Sequence, residues 1–229
     1  MKKLANHDLS WCVRRLPATV QKLLEANQST LFLGGGYVRS MIAREPVNDV
    51  DLFTSTKEIA QKLSQDFAGS TAIVTTDNAY TVLEKLPVQF IHRWTYEKPE
   101  DLLNSFDFTI ASAAFWHSGN GWDSMCHDDF YSDLAGRRLV YMKPKRNEDV
   151  GGSILRVLKF YQAGYRIPLD SLGAVIARLV NGIDRAKIEG GAEATSEEQW
   201  AKVVTGLLRE VDPNVNPDHI PYFPSETPA

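Results

Sequence analysis

Cysteine is scarce in this chain: Cys12 and Cys126 are the two among 229 residues. Neither has neighbouring Cys or His at zinc-ligand spacing, so no zinc site is indicated, and nothing calls for a disulfide framework. That usage fits a reducing compartment. Long apolar runs are also missing, and none approaches the ~20 residues that cross a bilayer. Lys2 and Lys3 open the chain as a signal peptide would, but no apolar stretch follows them. The expectation is a cytoplasmic protein with no membrane partner. Positive charge is not in excess: 25 Lys and Arg face 29 Asp and Glu, for a net charge of -4. This excludes a generally basic nucleic-acid coat protein. It leaves room for a nucleic-acid substrate, because a local basic patch is enough to hold phosphate. No internal repeat is visible.

What is present is ordinary globular composition, 43% hydrophobic and 24% charged, and a length suited to one catalytic domain with an appended helical segment. Leu16, Val20, Leu23 and Leu24 recur at helical spacing and predict a helix over 13–26. Residues 30–33 read as a short buried strand running into Gly34, Gly35 and Gly36, and 37–43 as a short helix. A second strand is expected over 47–53, an amphipathic helix over 56–67 with Ile59, Leu63 and Phe67 on one side, and strands over 72–76 and 88–94. Residues 98–104 read as helix, 106–116 as a buried apolar stretch and 117–136 as loop. Helical spacing resumes at Ile154 and continues through 172–183 and 199–211, with a joint at Gly190 and Gly191. From Asp212 onward, Pro213, Pro217, Pro221, Pro224 and Pro228 exclude a regular element. Mixed strands and helices followed by helices alone predict an α+β fold: a catalytic head over 1–150, a helical neck over 151–211 and a proline-rich tail over 212–229.

The chemistry concentrates in Leu31–Arg39 and Asn48–Phe53. A strand ending in glycines lets backbone amides approach a triphosphate with no side chain in the way. A helix starting near Tyr37 adds its N-terminal dipole to that anion site, and Arg39 offers a charge-assisted contact to a phosphate. On a strand, the two-residue period turns Asp49 and Asp51 to the same face. Two carboxylates so placed can share a magnesium (or manganese) ion that bridges nucleotide phosphates. Each piece alone has a plain reading, a turn or a solvated edge. Their order within twenty residues is what points to phosphoryl chemistry.

The segment resembles the head of class II CCA-adding enzymes and bacterial poly(A) polymerases, members of the polymerase-beta-type nucleotidyltransferases. Their signature is Gly-Gly-x-Val-Arg-Asp followed by an Asp-x-Asp strand. Phe106–Ile110 is similar to the family's Arg-Arg-Asp-Phe-Thr-Ile-Asn motif, Tyr131–Leu134 with Arg137–Leu139 to the stretch closing the head, and Ile154–Phe160 with Gly164 and Tyr165 to the helix opening the neck. The resemblance covers about Leu31 to Ile167. It implies a polymerase-beta-like head with a mixed sheet and flanking helices. It also implies transfer of a nucleoside monophosphate from a triphosphate to a hydroxyl acceptor, with release of pyrophosphate. Departures are specific. Ser40 stands where the family has Asp, Ser105 and Phe106 replace two arginines, Ala111 replaces an asparagine, and Gln89 occupies the place of the third metal carboxylate. Gly151, Gly152 and Ser153 stand where CCA-adding enzymes carry a base-selecting Asp and Arg pair, and the sequence is short beside a family that usually has further helical domains. A true CCA-adding activity is therefore not expected.

On this reading Asp49 and Asp51 hold the metal, with Gln89 beside them in the catalytic group. Gly34, Gly35, Gly36 and Arg39 bind the nucleotide, Asp107 orders the site wall, and Arg156 and Lys159 hold phosphate or base. Arg137, Arg138, Lys143, Lys145, Arg146, Arg156, Lys159 and Arg166 form a basic interval that reads either as cleft or as solvated surface. Trp94, next to His92 and Arg93, reads as a packed core residue before it reads as a stacking platform. His117, His127 and Asp128 have spacing too irregular for a metal site. Tyr222 and Phe223 lie in a tail that is either disordered or a strap for a protein partner. The acceptor is an RNA or DNA end, a nucleotide or a protein. Two other readings remain open: a nucleotide-binding regulator weakened by Gln89, and a partner-restrained toxin or antiviral nucleotidyltransferase.

Overall fold

Alternation along the segment after Asn48 decides which way the central sheet faces. In the computed structural model, which describes residues 1–144, 151–183 and 197–209, seven strands form one sheet. They are β1 (Phe32–Gly34), β2 (Val50–Phe53), β3 (Ile73–Thr75), β4 (Ala79–Val82), β5 (Val88–Ile91), β6 (Ala113–His117) and β7 (Trp122–Cys126). Their order is β3-β4-β5-β2-β1-β6-β7. β2 and β5 run parallel, and every other neighbouring pair is antiparallel. Nine α-helices are described: α1 (Asn6–Arg15), α2 (Ala18–Ala26), α3 (Gly36–Ala43), α4 (Lys57–Ala68), α5 (Pro99–Asn104), α6 (Phe130–Ala135), α7 (Gly152–Gln162), α8 (Leu169–Asn181) and α9 (Glu197–Arg209). This is the mixed α+β architecture expected from the order of elements.

Val50 and Leu52 point to one face with Leu33, Val88, Phe90 and Phe115, all essentially buried. Helices α2, α3 and α4 cover that face. Phe67 of α4 tilts onto Phe90 at 5.8 Å and Tyr37 of α3 onto Phe115 at 6.3 Å. The Tyr37 hydroxyl donates to the Cys12 carbonyl at 2.9 Å, tying α3 to α1. Phe53 points the other way and joins Phe32, Ile91, Ala114 and Trp116 in a cluster closed by Leu102 and Leu103 of α5. Each such buried side chain contributes about 1.5–3 kcal/mol. Two packed faces therefore hold β2 in place, and with it the orientation of Asp51.

Several sequence expectations are corrected in detail. The helix expected over 13–26 is two helices, because Pro17 forces Leu16 into an extended conformation (φ −65°, ψ 145°). Helix α4 keeps its expected place, with the Thr56 hydroxyl accepting the Ile59 N–H at 3.2 Å as N-cap. Its buried line is Ala60, Ser64 and Ala68, one residue round from the expected one, and Ile59 is exposed. The polar connection before Val88 contains β4. The stretch read as loop over 117–136 contains β7 and α6. Asp123 and Ser124 disguise β7 as a turn, yet it pairs fully with β6 from Ala113↔Cys126 to His117↔Trp122. On its far side the backbone of Lys2 bridges Cys126.

The chain divides into two compact units, Met1–Pro144 and Lys145–Ala229. In the second, α7 buries Ser153, Val157 and Phe160, with the Phe160 and Tyr165 rings 5.6 Å apart. Proline at the N-cap starts α8, whose Val175 is fully buried. Lys145, Arg146, the Gly190–Gly191 joint and the tail with Tyr222 and Phe223 lie outside the described residues. Among the described residues, no helix is long and apolar enough to cross a membrane.

Candidate active site

Pairing register builds the site. Gly34 on β1 lies opposite Asp51 on β2, and Asp51 lies beside Gln89 on β5. Two residues further along the same face, Phe32, Phe53 and Ile91 form the parallel row of the apolar cluster. The sheet face thus changes from hydrophobic packing to a glycine–carboxylate–amide row within one pleat. Asp49 and Asp51 are half-exposed, flanking the fully buried Val50. The Gln89 side-chain amide donates to Asp49 Oδ2 at 3.2 Å. Gln89 therefore reaches the carboxylates, in the register its place in the sequence predicts.

The glycine turn closes over this row. Gly35 has φ 74° and ψ −130°, a conformation that L side chains avoid. Its N–H donates to the Ala113 carbonyl at 3.0 Å, which pins the turn to β6. A Cβ built on Gly35 would lie 3.3 Å from Phe106 Cε1 and 3.7 Å from Asp51 Oδ2. One on Gly34 would meet Phe106 Cζ at 3.4 Å. Phe106 itself stands edge-on to Phe53, with centroids 6.0 Å apart at 87°. An aromatic ring thus covers the glycines where the resembling family has arginine. Asp107, the next residue, is 5% exposed and its carbonyl accepts the Met142 N–H. That places it inside the wall rather than on its surface.

Arg39 leaves α3 beside the turn: its Nη2 is 3.9 Å from a Cβ built on Gly36. The guanidinium donates to Ser40 Oγ at 3.0 Å and pairs with Glu45 at 3.5 Å. Ser40 is buried and uncharged, and the acid that faces the guanidinium is Glu45, six residues on. Sequence reading did not single out Glu45. Its signal was available: an acid six residues after an arginine whose usual acidic neighbour is missing.

The remaining candidates are placed by their own elements. Arg156 and Lys159 both lie on α7, in the second compact unit. Arg138 is committed to Asp133, which it meets at 2.6 Å, and Asp133 also accepts the Thr109 hydroxyl at 2.6 Å. Trp94 packs against the apolar cluster with Arg93 over its ring at 5.0 Å. Asp128 pairs with the amino terminus at 3.0 Å. Burial pushes the Cys12 thiol up to about 12 and Cys126 up to about 11, so neither is a nucleophile near neutral pH.

Among the described residues there is no group of three or more His, Cys, Asp and Glu arranged to hold a metal ion. The pair of carboxylates still fits magnesium, which is commonly held by one or two carboxylates together with substrate phosphates. Asp51 on β2 and Asp49 just before that strand are both half-exposed, and the Gln89 amide reaches Asp49.

Residues 3–137 match the family described as Gabija anti-defense 2 family protein. A relative named Gabija anti-defense 2, from Bacillus phage SPbetaL7, is 26% identical over 151 residues. The matched stretch is 64% of this chain and 37% of that protein, so the chain spans well under half of the relative's length. Among solved structures, the Thermotoga maritima CCA-adding enzyme complexed with tRNA aligns with a TM-score of 0.58 at 16% identity, covering 98% of this chain and 58% of that one. A CCA-adding enzyme complexed with CTP aligns with a TM-score of 0.57 at 19% identity, covering 93% and 52%. At these identities the likeness establishes the fold, that of the CCA-adding nucleotidyltransferases.

Proposed function

The chain belongs to the Gabija anti-defense 2 family, and from that premise we propose that it is a magnesium-dependent nucleotidyltransferase acting in counter-defence. It transfers a nucleoside monophosphate from a triphosphate to a hydroxyl on a component of the defence machinery, a nucleic-acid end, a nucleotide or a protein. The observation that carries the reading is the row Gly34–Asp51–Gln89 with Asp49 tied to its end. A glycine turn and two half-exposed carboxylates on one sheet face are what a triphosphate and its cation require. Bound to Asp49 and Asp51, magnesium would neutralise phosphate charge and polarise the phosphorus under attack. The chain's own residues do the rest. Gly34, Gly35 and Gly36 keep the approach to the phosphates clear, Arg39 supplies positive charge beside the turn, and Asp107 stiffens the wall. Arg156 and Lys159 are assigned to phosphate or base on sequence grounds.

The test is direct. Purified protein is incubated with each α-labelled triphosphate, with magnesium or manganese, and with total RNA, DNA or purified defence proteins in turn. Pyrophosphate release together with label on one acceptor supports the reading. Neither triphosphate binding nor pyrophosphate release under any of these conditions would sink it.

A second reading, a nucleotide-binding regulator with weak or no catalysis, is favoured by Gln89. Its amide donates to Asp49 where the resembling family has a carboxylate. The neutral side chain contributes no charge to a second cation. Gln89→Glu places two carboxylates within hydrogen-bonding range of each other, an arrangement that repels unless a cation lies between them. The expected result is a Tm about 3 °C lower than wild type without divalent ions, recovered when magnesium is added. Pyrophosphate release at low magnesium should rise. A Tm insensitive to magnesium and an unchanged rate would show that the amide is not standing in for a metal ligand.

A further inference from the structure

The sheet has two edges, and among the described residues they are finished differently. On the β7 side the Lys2 N–H donates to the Cys126 carbonyl at 2.9 Å, and the Lys2 carbonyl accepts the Cys126 N–H at 2.7 Å. β3 is the last strand on the other side, with no described strand beyond it. The Leu83 N–H donates to the Ala72 carbonyl and the Thr76 N–H to the Ala79 carbonyl, both at 3.0 Å. Bonded pairs in an antiparallel ladder recur at every second residue. Residues 72, 74 and 76 therefore turn their backbone groups to β4, while Ile73 and Thr75 turn theirs outward. Sheet edges are commonly blunted by charge or proline. Residues 72–76 read Ala-Ile-Val-Thr-Thr, uncharged, free of proline and mostly β-branched.

This edge leads to the carboxylate row. Val74 lies opposite Thr81, Thr81 opposite Gln89, and Gln89 beside Asp51. Residues directly opposed in a sheet share a face, so Val74 and Thr81 extend the row Gln89–Asp51–Gly34 out to β3. Val74 is 45% exposed and Leu83, two residues past Thr81, is 51% exposed, with Ala72 exposed and Thr81 half-exposed beside them. Single exposed apolar side chains are ordinary; these adjoin one another on a track that ends at Asp51. The track contains no lysine or arginine, and Glu84 and Lys85 of the β4–β5 turn cancel in charge. Nucleic acid is gripped mainly through its phosphates, and this track offers no cation to hold them.

We propose that β3 and the Val74–Thr81 track dock a protein acceptor: an extended, uncharged segment adds to the sheet at β3, and a following Ser, Thr or Tyr hydroxyl crosses the track to the triphosphate. The inference rests on the nucleotidyltransferase reading above and deepens it by naming the acceptor class. The outward N–H and C=O groups of Ile73 and Thr75 pair with any extended backbone, and Val74 and Leu83 give its side chains apolar contact. In the transfer, the hydroxyl oxygen bonds to the α-phosphorus. The bond from that phosphorus to the pyrophosphate oxygen breaks, and pyrophosphate leaves with the electron pair. The hydroxyl proton passes to solvent, and the product is a phosphodiester between side chain and nucleoside. An added strand lies four strand spacings from β2, about 19 Å, which an extended chain crosses in about six residues.

A fluorescent peptide makes the test: a Val/Gln strand, a Gly/Asn spacer of about six residues and a terminal tyrosine carrying its one hydroxyl. Anisotropy should show saturable binding below about 1 mM, and an α-labelled triphosphate with magnesium should put label on the peptide. Thr75→Pro removes an outward N–H and no β3–β4 bond, and Val74→Lys puts a cation on the track. Each should weaken peptide binding about tenfold with triphosphate affinity unchanged. Both positions are exposed, and Val74→Lys decides alone if circular dichroism shows Thr75→Pro unfolded. Shortening the spacer to about two residues should keep binding and abolish transfer. No peptide binding, or equal binding by wild type and both variants, overturns the proposal, and triphosphate binding with pyrophosphate release would then leave the nucleotidyltransferase reading standing. Label on a short oligoadenylate instead of the peptide overturns it in favour of a nucleic-acid acceptor. A concentration-dependent dimer that both variants abolish overturns it by giving the edge to a second copy of this chain. Peptide binding without triphosphate binding or pyrophosphate release sinks the nucleotidyltransferase reading, and the acceptor role with it.

Discussion

Asp51→Asn is expected to cut pyrophosphate release by about a thousandfold, the rate equivalent of about 4 kcal/mol in the barrier. The substitution changes charge and almost nothing else. Asp51 is half-exposed on the central strand, and the flanking Val50 and Leu52 carry its packing on the opposite face. Asparagine preserves the shape of the side chain, so a Tm close to wild type should accompany the loss. What disappears is the negative charge beside Gly35, one of the two carboxylates of the row, and with it most of the attraction for a divalent ion among phosphates. Asp49→Asn should abolish magnesium-dependent triphosphate binding in the same way, read by calorimetry with and without the metal. Unchanged affinity would remove Asp49 from the site. An Asp51→Asn protein retaining more than about a tenth of the wild-type rate would move the chemistry away from this row, since a metal ligand cannot be worth so little.

The candidate row of Gly34, Asp51 and Gln89 was legible as neighbouring strands because most of its parts are local. Gly34 to Gly36 and Asp49 to Asp51 lie within twenty residues; the strand expected over 47–53 begins at Val50, so Asp51 lies on it and Asp49 just before it, joined to the row by Gln89. Gln89 lies forty residues from Asp49, yet it was assigned from the strand it occupies, and the β2–β5 register places it beside Asp51. Ordinary strands were harder. β7 contains Asp123 and Ser124 because its pairing with β6 and the bridge from Lys2 stabilise it, not because its side chains form an apolar line. β4 hides for a related reason, since its apolar residues become meaningful only against β5. The break at Pro17 was legible and was overridden by the leucine periodicity on either side. Glu45 shows the deeper limit. An acid acquires a role by facing Arg39 and Arg137, and one of those partners is more than ninety residues away.

Gly35→Ala should abolish triphosphate binding and also weaken the fold, an outcome sharper than the block to binding that the three-glycine motif alone suggests. At φ 74° and ψ −130°, an alanine pays for a conformation outside the regions open to L residues, about 1–3 kcal/mol. Its Cβ would stand 3.3 Å from Phe106 Cε1, tighter than ordinary contact, and 3.7 Å from Asp51 Oδ2. Phe106 has little room to yield, because Phe53 meets its ring edge-on and belongs to the apolar cluster. The methyl group therefore lies between the ring and the carboxylate, on the side from which a phosphate must come. If strain alone acted, a lower Tm would be accompanied by normal affinity at temperatures where the variant is folded. If crowding of the carboxylate acts as well, affinity should fall beyond detection at 20 °C while circular dichroism still reports a folded protein. Phe106→Leu in the Gly35→Ala background distinguishes the two contributions. A smaller, more flexible side chain relieves the contact at 3.3 Å and should recover part of the Tm, but it leaves the methyl beside Asp51 and should recover no binding. Recovery of binding together with Tm would show that the glycine is there only for the turn.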